Sequence, residues 1–168
     1  VSMIMISLDG QEEINVQSRA APGAYSKIME AIELCKTNGI RVMISTVISK
    51  CNVGQIDIML DLMKKLNLRG IFQPAMAYRL GKKDHNPIAP DPIEYKRAMK
   101  LLIERKMAGE KTIFNSLTTL RHLYNWPTPT AIKCSASKLH CRIDCNGDIY
   151  PCGRMENRVI NCVKLGVA

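Results

Sequence analysis

Apolar positions in this chain switch between two periods, and the switches mark its elements. Residues 2–8 (SMIMISL) form a short apolar run closing on Asp9-Gly10, which predicts a buried strand and a turn. A polar loop is expected next. Tyr25, Ile28, Met29, Ile32 and Cys35 then share one helical face, preceded by Pro22-Gly23 and stopped at Asn38-Gly39 by a left-handed residue. Residues 40–48 (IRVMISTVI) are continuous and β-branched, the pattern of a parallel strand covered on both faces. Asn52 is placed to cap a second helix, with Gln55 in the capping-box position and Ile56, Met59, Leu60, Met63 and Leu66 on its apolar side. Residues 70–76 (GIFQPAM) predict a third strand, ending in a Gly-, Lys- and Pro-rich loop to Pro90. Asp91-Pro92-Ile93-Glu94 starts a helix that runs to about Ala108 and stops at Gly109. A short helix over 116–124 precedes Trp126-Pro127-Thr128-Pro129, and the rest reads as a hairpin about Asn146-Gly147 with a short tail.

Strand, helix, strand, helix, strand, helix predicts right-handed parallel units of the α/β class. Three such units cannot close a barrel, and each outer strand would keep an unpaired edge. The segment therefore reads as part of a barrel or open sheet. It contains no solenoid-period repeat and no low-complexity tract.

Composition narrows the class. The 168 residues are 46% hydrophobic and 23% charged, so the chain can bury a core and holds one domain, or a larger domain's piece with an appendage. No apolar run approaches the roughly 20 residues that span a bilayer. The opening VSMIMISLDGQEE lacks a basic leader and a small-residue cleavage site, so no signal peptide and no membrane partner are expected. The run also begins inside a strand-like segment, as if in mid-fold. Seven unevenly spaced cysteines argue against a secreted disulfide framework and for reduced thiols in the cytoplasm. The net charge of +9 favours anionic partners, nucleic acid among them. Yet the lysines and arginines are spread over helix faces, and aromatics are 5% of the chain, too few for stacking platforms. A solvated basic surface is the better reading, and a nucleic-acid partner the weaker one.

The densest chemistry lies near the end. Cys134 is followed after twelve residues by Gly147 and after four more by Cys152, with Cys141 and Cys145 between. Thiols concentrated around one turn suit a soft metal or an iron–sulfur cluster. Cys134 and Cys152 are the leading candidate ligands, because a hairpin through Asn146-Gly147 brings the flanking chain together. Cys141 and Cys145, four residues apart, would share a face if that run were extended. Structural zinc or free buried thiols are the competing readings, although the Cys-x-x-Cys spacing of zinc ribbons is missing. His140 reads as surface, Cys35 as core, and Cys51 as the neighbour of a cap.

Five segments, taken in order, carry a resemblance. They are Ile6-Ser7-Leu8-Asp9-Gly10 with Glu12, Glu13, Arg19 and Gly23-Ala24-Tyr25; Thr46-Val47-Ile48-Ser49-Lys50-Cys51-Asn52; Ile71-Phe72-Gln73-Pro74; Lys106-Met107-Ala108-Gly109 through Ile113-Phe114-Asn115-Ser116; and Cys134-x12-Gly147-x4-Cys152. Together they resemble the later half of a radical S-adenosyl-L-methionine (SAM) enzyme with a C-terminal SPASM or twitch auxiliary-cluster domain, over nearly the whole chain. The first three are similar to that family's fourth, fifth and sixth barrel strands, the fourth to its Lys-x-x-Gly…Asn-Ser connector, and the last to the spacing that opens a SPASM domain. The family's Cys-x3-Cys-x2-Cys motif is absent, and only Cys162 follows Cys152. The expectation is a fragment, inactive alone. Residues 1–125 would be the C-terminal half of a partial (β/α)6 TIM-like barrel. Residues 126–168 would begin a small, cysteine-rich β-hairpin domain.

The resemblance implies SAM and a 4Fe-4S cluster as cofactors, with an auxiliary cluster at the terminal thiols. It implies a 5′-deoxyadenosyl radical abstracting hydrogen from a peptide or small-molecule substrate, and an electron donor such as flavodoxin or ferredoxin. Barrel ligands sit at the carboxyl ends of strands, where Ser7, Asp9, Thr46, Asn52 and Gln73 fall. Ser7 and Asp9 would meet the amino group or ribose of SAM, Asn52 its adenosyl part, and Arg19 its carboxylate. A different class of function remains open, a non-catalytic zinc-binding module using the same four cysteines with a basic nucleic-acid-binding surface.

Overall fold

The computed structural model describes residues 2–78, 84–128, 135, 136, 138–152 and 159–161. The chain divides into two compact units, Val1–Tyr78 with Asp84–Thr130, and Arg79–Lys83 with Ala131–Ala168.

The first unit is α/β. Strands β1 (Met3–Ser7), β2 (Arg41–Ile48) and β3 (Arg69–Pro74) form a parallel sheet in sequence order β1-β2-β3. Ser7 is in register with Ser45, Ile71 with Ser45 on the other side, and Gln73 with Val47. Helices α1 (Glu12–Arg19) and α2 (Ala24–Thr37) join β1 to β2. A 3-10 turn (Val53–Gln55) and α3 (Ile56–Lys65) join β2 to β3. After β3 come α4 (Pro92–Met107) and α5 (Leu117–Leu123).

The helix stops and starts follow their chemistry. Gly39 (φ 68°) and Gly109 (φ 91°) adopt the left-handed conformation that ends α2 and α4. The Asp91 carboxylate accepts hydrogen bonds from the Ile93 and Glu94 amides, and Pro92 opens α4. Ser116 Oγ accepts from the Thr119 amide at the start of α5. Helix α1 replaces the polar loop expected from the sequence. It has almost no apolar stripe, and its signals are Glu12 and Glu13 in the first turn and Arg19 in the last, each matched to the helix dipole.

Only one face of the sheet is built into the helix-packed core. Leu8, Ile44, Ile48 and Phe72 from that face join Ile32 of α2, Met59 and Met63 of α3 and Tyr95, Met99 and Leu102 of α4. Each large side chain fully buried there contributes on the order of 1.5–3 kcal/mol. The opposite face carries Met3, Met5 and Ser7 on β1, Met43, Ser45 and Val47 on β2, and Ile71 and Gln73 on β3; none of these belongs to that core. Met3 and Met5 remain 43% and 52% exposed. β2 is nonetheless buried on both faces over Met43, Ile44, Ser45 and Thr46, as its continuous apolar run predicts, so the exposed part of the open face lies on its neighbours.

A further segment extends the sheet beyond β3. Gly70 bridges Ile113 in parallel, donating to Thr112 O (2.8 Å) and accepting from the Phe114 amide (2.8 Å). The Asn115 side chain then continues the ladder, accepting from the Phe72 amide (2.8 Å) and donating to Phe72 O (3.1 Å). Tyr95 ties α5 to α4 through a hydrogen bond from its hydroxyl to Leu123 O (3.1 Å), and its ring lies 4.9 Å from that of Trp126. Burial raises the Tyr95 phenol pKa above its ordinary value.

In the second unit, β4 (Arg142–Ile143) and β5 (Asp148–Tyr150) pair antiparallel about Gly147 (φ 79°). Asp144 shapes the turn by accepting from the Asn146 and Asp148 amides. A third strand, β6 (Ile160–Asn161), pairs with β5 where a plain tail was expected.

Candidate functional site

The carboxyl ends of β1 and β2 are laced together by side chains rather than left free. Asp9 is buried; its Oδ1 accepts from the Val47 amide (2.9 Å) and its Oδ2 pairs with the Arg19 guanidinium (2.8 Å). Ser18 Oγ also donates to Asp9 Oδ2 (3.3 Å), and the Asp9 amide donates to Asn15 Oδ1 (3.3 Å). Polar α1 thus forms because its inward residues, Asn15, Ser18 and Arg19, converge on Asp9.

Asn52 completes the lacing. Its Nδ2 donates to Asp9 O (2.8 Å) and Val47 O (2.9 Å), and its Oδ1 accepts from the Ser49 amide (2.8 Å). It makes no side-chain bond to the amides of the following turn, and neither does Gln55. The expected cap is instead a tie between two strand ends, and the 3-10 turn separates Asn52 from α3. A buried amide satisfied on both atoms holds the rim rigidly, since any lost partner leaves a desolvated polar group.

The five candidate cofactor contacts therefore fall into two groups. Thr46 has no exposed surface, lies on the helix-covered face, and donates its hydroxyl to Leu8 O (2.8 Å). Asp9 and Asn52 are buried in the rim lacing. Ser7 and Gln73 lie exposed on the opposite sheet face, with no side-chain hydrogen bond to the described residues. Ser45 stands in register with Ser7 on that same face, 9% exposed. Reasoning from sequence passed over Ser45 for Thr46, although the pleat alone puts Ser7 and Ser45 together once their register is known. Ser7, Ser45 and Gln73 rise from a floor of Met5, Met43, Val47 and Ile71.

Beside them, a groove of about 500 Å³ runs along the outer edge of β3, lined by Ile71, Phe72, Gln73, Phe114, Asn115, Ser116, Thr119 and Leu123. Asn115, Ser116 and Thr119 are already hydrogen-bonded to Phe72 or to one another. Gln73 is the groove's one polar side chain without such a bond among the described residues.

Of the terminal thiols, Cys141 and Cys145 are exposed and Cys152 is half-buried; Cys134 lies outside the described residues. The run from Cys141 to Cys145 is not one extended strand, because β4 ends at Ile143 and Asp144 begins the turn. Among the described residues no three His, Cys, Asp or Glu side chains come together as a metal site. Cys35 is buried on α2, as its helical position requires, and Cys51 is half-buried.

Neither a family model nor a curated protein matches the chain. Solved structures do. The chain superposes on native anSMEcpe with bound AdoMet at a TM-score of 0.69 and 18% identity, covering 95% of this chain and 47% of that one. The hexahistidine-tagged form with bound AdoMet gives 0.68 and 19%, and the native protein with AdoMet and a peptide gives 0.66 and 18%. The chain thus spans about half the length of these proteins, and across that span it has their fold.

Proposed function

We propose that this chain is part of a radical SAM enzyme, with residues 1–125 forming three strands of a partial (β/α)6 barrel and 126–168 beginning an auxiliary-cluster domain of the SPASM or twitch type. The observation that carries the reading is the fold shared with an AdoMet-bearing radical SAM enzyme. Strands added in sequence order, with helices on one face only, suit a barrel wall whose other face looks inward.

The open face fits AdoMet in chemical kind. Ser7, Ser45 and Gln73 offer two hydroxyls and an amide for its amino, carboxylate and ribose groups, and the methionines and Ile71 offer an apolar floor. Asp9, Thr46 and Asn52 contribute by fixing the strand ends and the loop to α1. Arg19, paired to Asp9, holds that loop as well. AdoMet held by Ser7, Ser45 and Gln73 would supply radical hydrogen-abstraction chemistry once it accepts one electron from a reduced 4Fe-4S cluster and releases methionine.

The described thiols do not themselves compose a cluster site, so no step is assigned to an auxiliary cluster. Cys134, Cys141, Cys145 and Cys152 are its proposed ligands. The substrate is proposed to be a peptide or small molecule, and the electron source a flavodoxin or ferredoxin.

Two measurements test the reading. In amide NMR spectra, AdoMet should shift Ser7, Ser45 and Gln73 and leave the α4 amides still; shifts confined to other residues, or none at millimolar ligand, overturn the assigned face. The full polypeptide containing this segment, prepared without oxygen and reduced, should release 5′-deoxyadenosine. Iron-replete protein that never cleaves AdoMet refutes the enzyme class. Zinc bound without iron or sulfide would favour a zinc module instead.

A further inference from the structure

A second groove in the first unit lies at the other end of the strands. It occupies about 680 Å³ and is lined by Lys64, Asn67, Leu68, Arg69, Arg105, Ala108, Gly109, Glu110, Lys111 and Thr112. Its walls are the carboxyl ends of α3 and α4 and the amino ends of β3 and the 112–114 segment. Arg69 in this groove and Gln73 in the site proposed above lie four residue steps apart on β3, roughly 13 Å at about 3.3 Å per step, so the groove does not depend on that site.

Its charge is unbalanced. Arg105 is matched by Asp57, 2.6 Å away. That leaves Lys64, Arg69 and Lys111 against one carboxylate, Glu110. The Glu110 pKa is lowered, first by the hydrogen bond from the Thr112 amide and then, against some burial, by the Thr112 hydroxyl and the charge of Lys64. Glu110 is thus committed to its own loop.

Lys64 has an ordinary reason to sit here, since a cation in the last turn of α3 offsets the helix dipole. Arg69 and Lys111 belong to no helix. Arg69 is also pre-positioned: its Nε donates to Lys111 O (3.1 Å), and its guanidinium lies 5.1 Å from the centroid of the Phe114 ring. The helix carboxyl ends would repel an anion if their carbonyls were bare, but they are covered. Lys64 O accepts from the Asn67 amide, Met63 O from Leu68, Lys106 O from Gly109 and Arg105 O from Glu110.

We infer that this groove binds a small phosphate-bearing ligand through Arg69, Lys64 and Lys111. A guanidinium fork with two ammonium groups suits a multiply charged, multi-oxygen anion better than a single carboxylate. The volume falls in the range of small-molecule sites and leaves room for a diphosphate or triphosphate with an attached group. A polynucleotide is disfavoured, because the three cations line one cavity rather than a stripe.

The test is calorimetric titration of the 168-residue chain with inorganic pyrophosphate and triphosphate at fixed ionic strength. Saturable one-to-one binding is expected. Lys64→Gln and Lys111→Gln should each weaken it about tenfold, the size of one lost charge-assisted hydrogen bond. Lys27→Gln, an equal charge change on the exposed side of α2, should leave it unchanged. Equal weakening by all three variants would show attraction to net charge alone and overturn the inference, as would the absence of saturable binding. Tighter binding of single-stranded oligonucleotides that grows with their length would assign the groove to nucleic acid and overturn it too.

Discussion

Ser45 and Thr46 are neighbours in sequence with opposite positions in the fold, and their substitutions should separate cleanly. Thr46→Val keeps shape but removes the donor to Leu8 O, so it should cost about 1–3 kcal/mol in urea unfolding. Under the proposed function, it should leave AdoMet affinity nearly unchanged in any protein still folded. Ser45→Ala should do the reverse, with little change in stability and weaker AdoMet binding. Equal effects on both readouts would show that the pleat does not sort the two roles. Glu110 supplies a pH signature. Its pKa is lowered below 4.5 in the fold. A depressed carboxylate pKa contributes stability above the unfolded value and loses it as pH falls through the folded value. The stability gap between wild type and Glu110→Gln should therefore be constant above about pH 5.5 and close progressively in acid, as read by thermal unfolding.

At the scale of elements, β3 is held on both sides at close quarters. A methyl group added at Gly70 would meet Met63 Sδ at 2.8 Å and the Ile44 carbonyl oxygen at 3.2 Å. Gly70→Ala should cost about 1–3 kcal/mol. Adding Met63→Leu, which shortens the flexible neighbour, should recover part of that loss; no recovery would place the strain in the backbone contact. The elements themselves were largely legible from sequence, because hydrophobic period and end signals agree at Asn38-Gly39, Asp91-Pro92 and Ser116. Other features were not. Helix α1 is polar and exists to deliver Asn15, Ser18 and Arg19 to Asp9, a target six to ten residues away that no periodicity records. Asn52 has the residue type of a cap, but its partners, Asp9 O and Val47 O, are set by where β1 ends. The parity of β2 was hidden because both its faces are apolar, so only register with β1 tells which serine or threonine looks outward. β6 has two residues, too few for any pattern.

For the molecule as a whole, thiol chemistry gives a direct check. Cys141 and Cys145 are exposed and Cys35 is buried. A brief pulse of iodoacetamide on the reduced protein, read by mass spectrometry, should modify the first two well before Cys35, which should label only on unfolding. If the terminal thiols hold an auxiliary cluster, anaerobic loading with iron and sulfide should protect Cys141 or Cys145 while leaving Cys35 as it was. Protection of neither site would remove both from the ligand set. The basic surface and the thiols thus answer to separate reagents.

The Asn115 side chain, which stands in for a stretch of strand, also bears on how the protein ages. Hydrolysis of that amide to a carboxylate would keep an acceptor for the Phe72 amide but turn an anion toward the Phe72 carbonyl. The sheet would then lose its outermost rung and gain a repulsion. Deamidated molecules should accumulate last in stored samples, because burial shields this amide, and should be the first to unfold once formed.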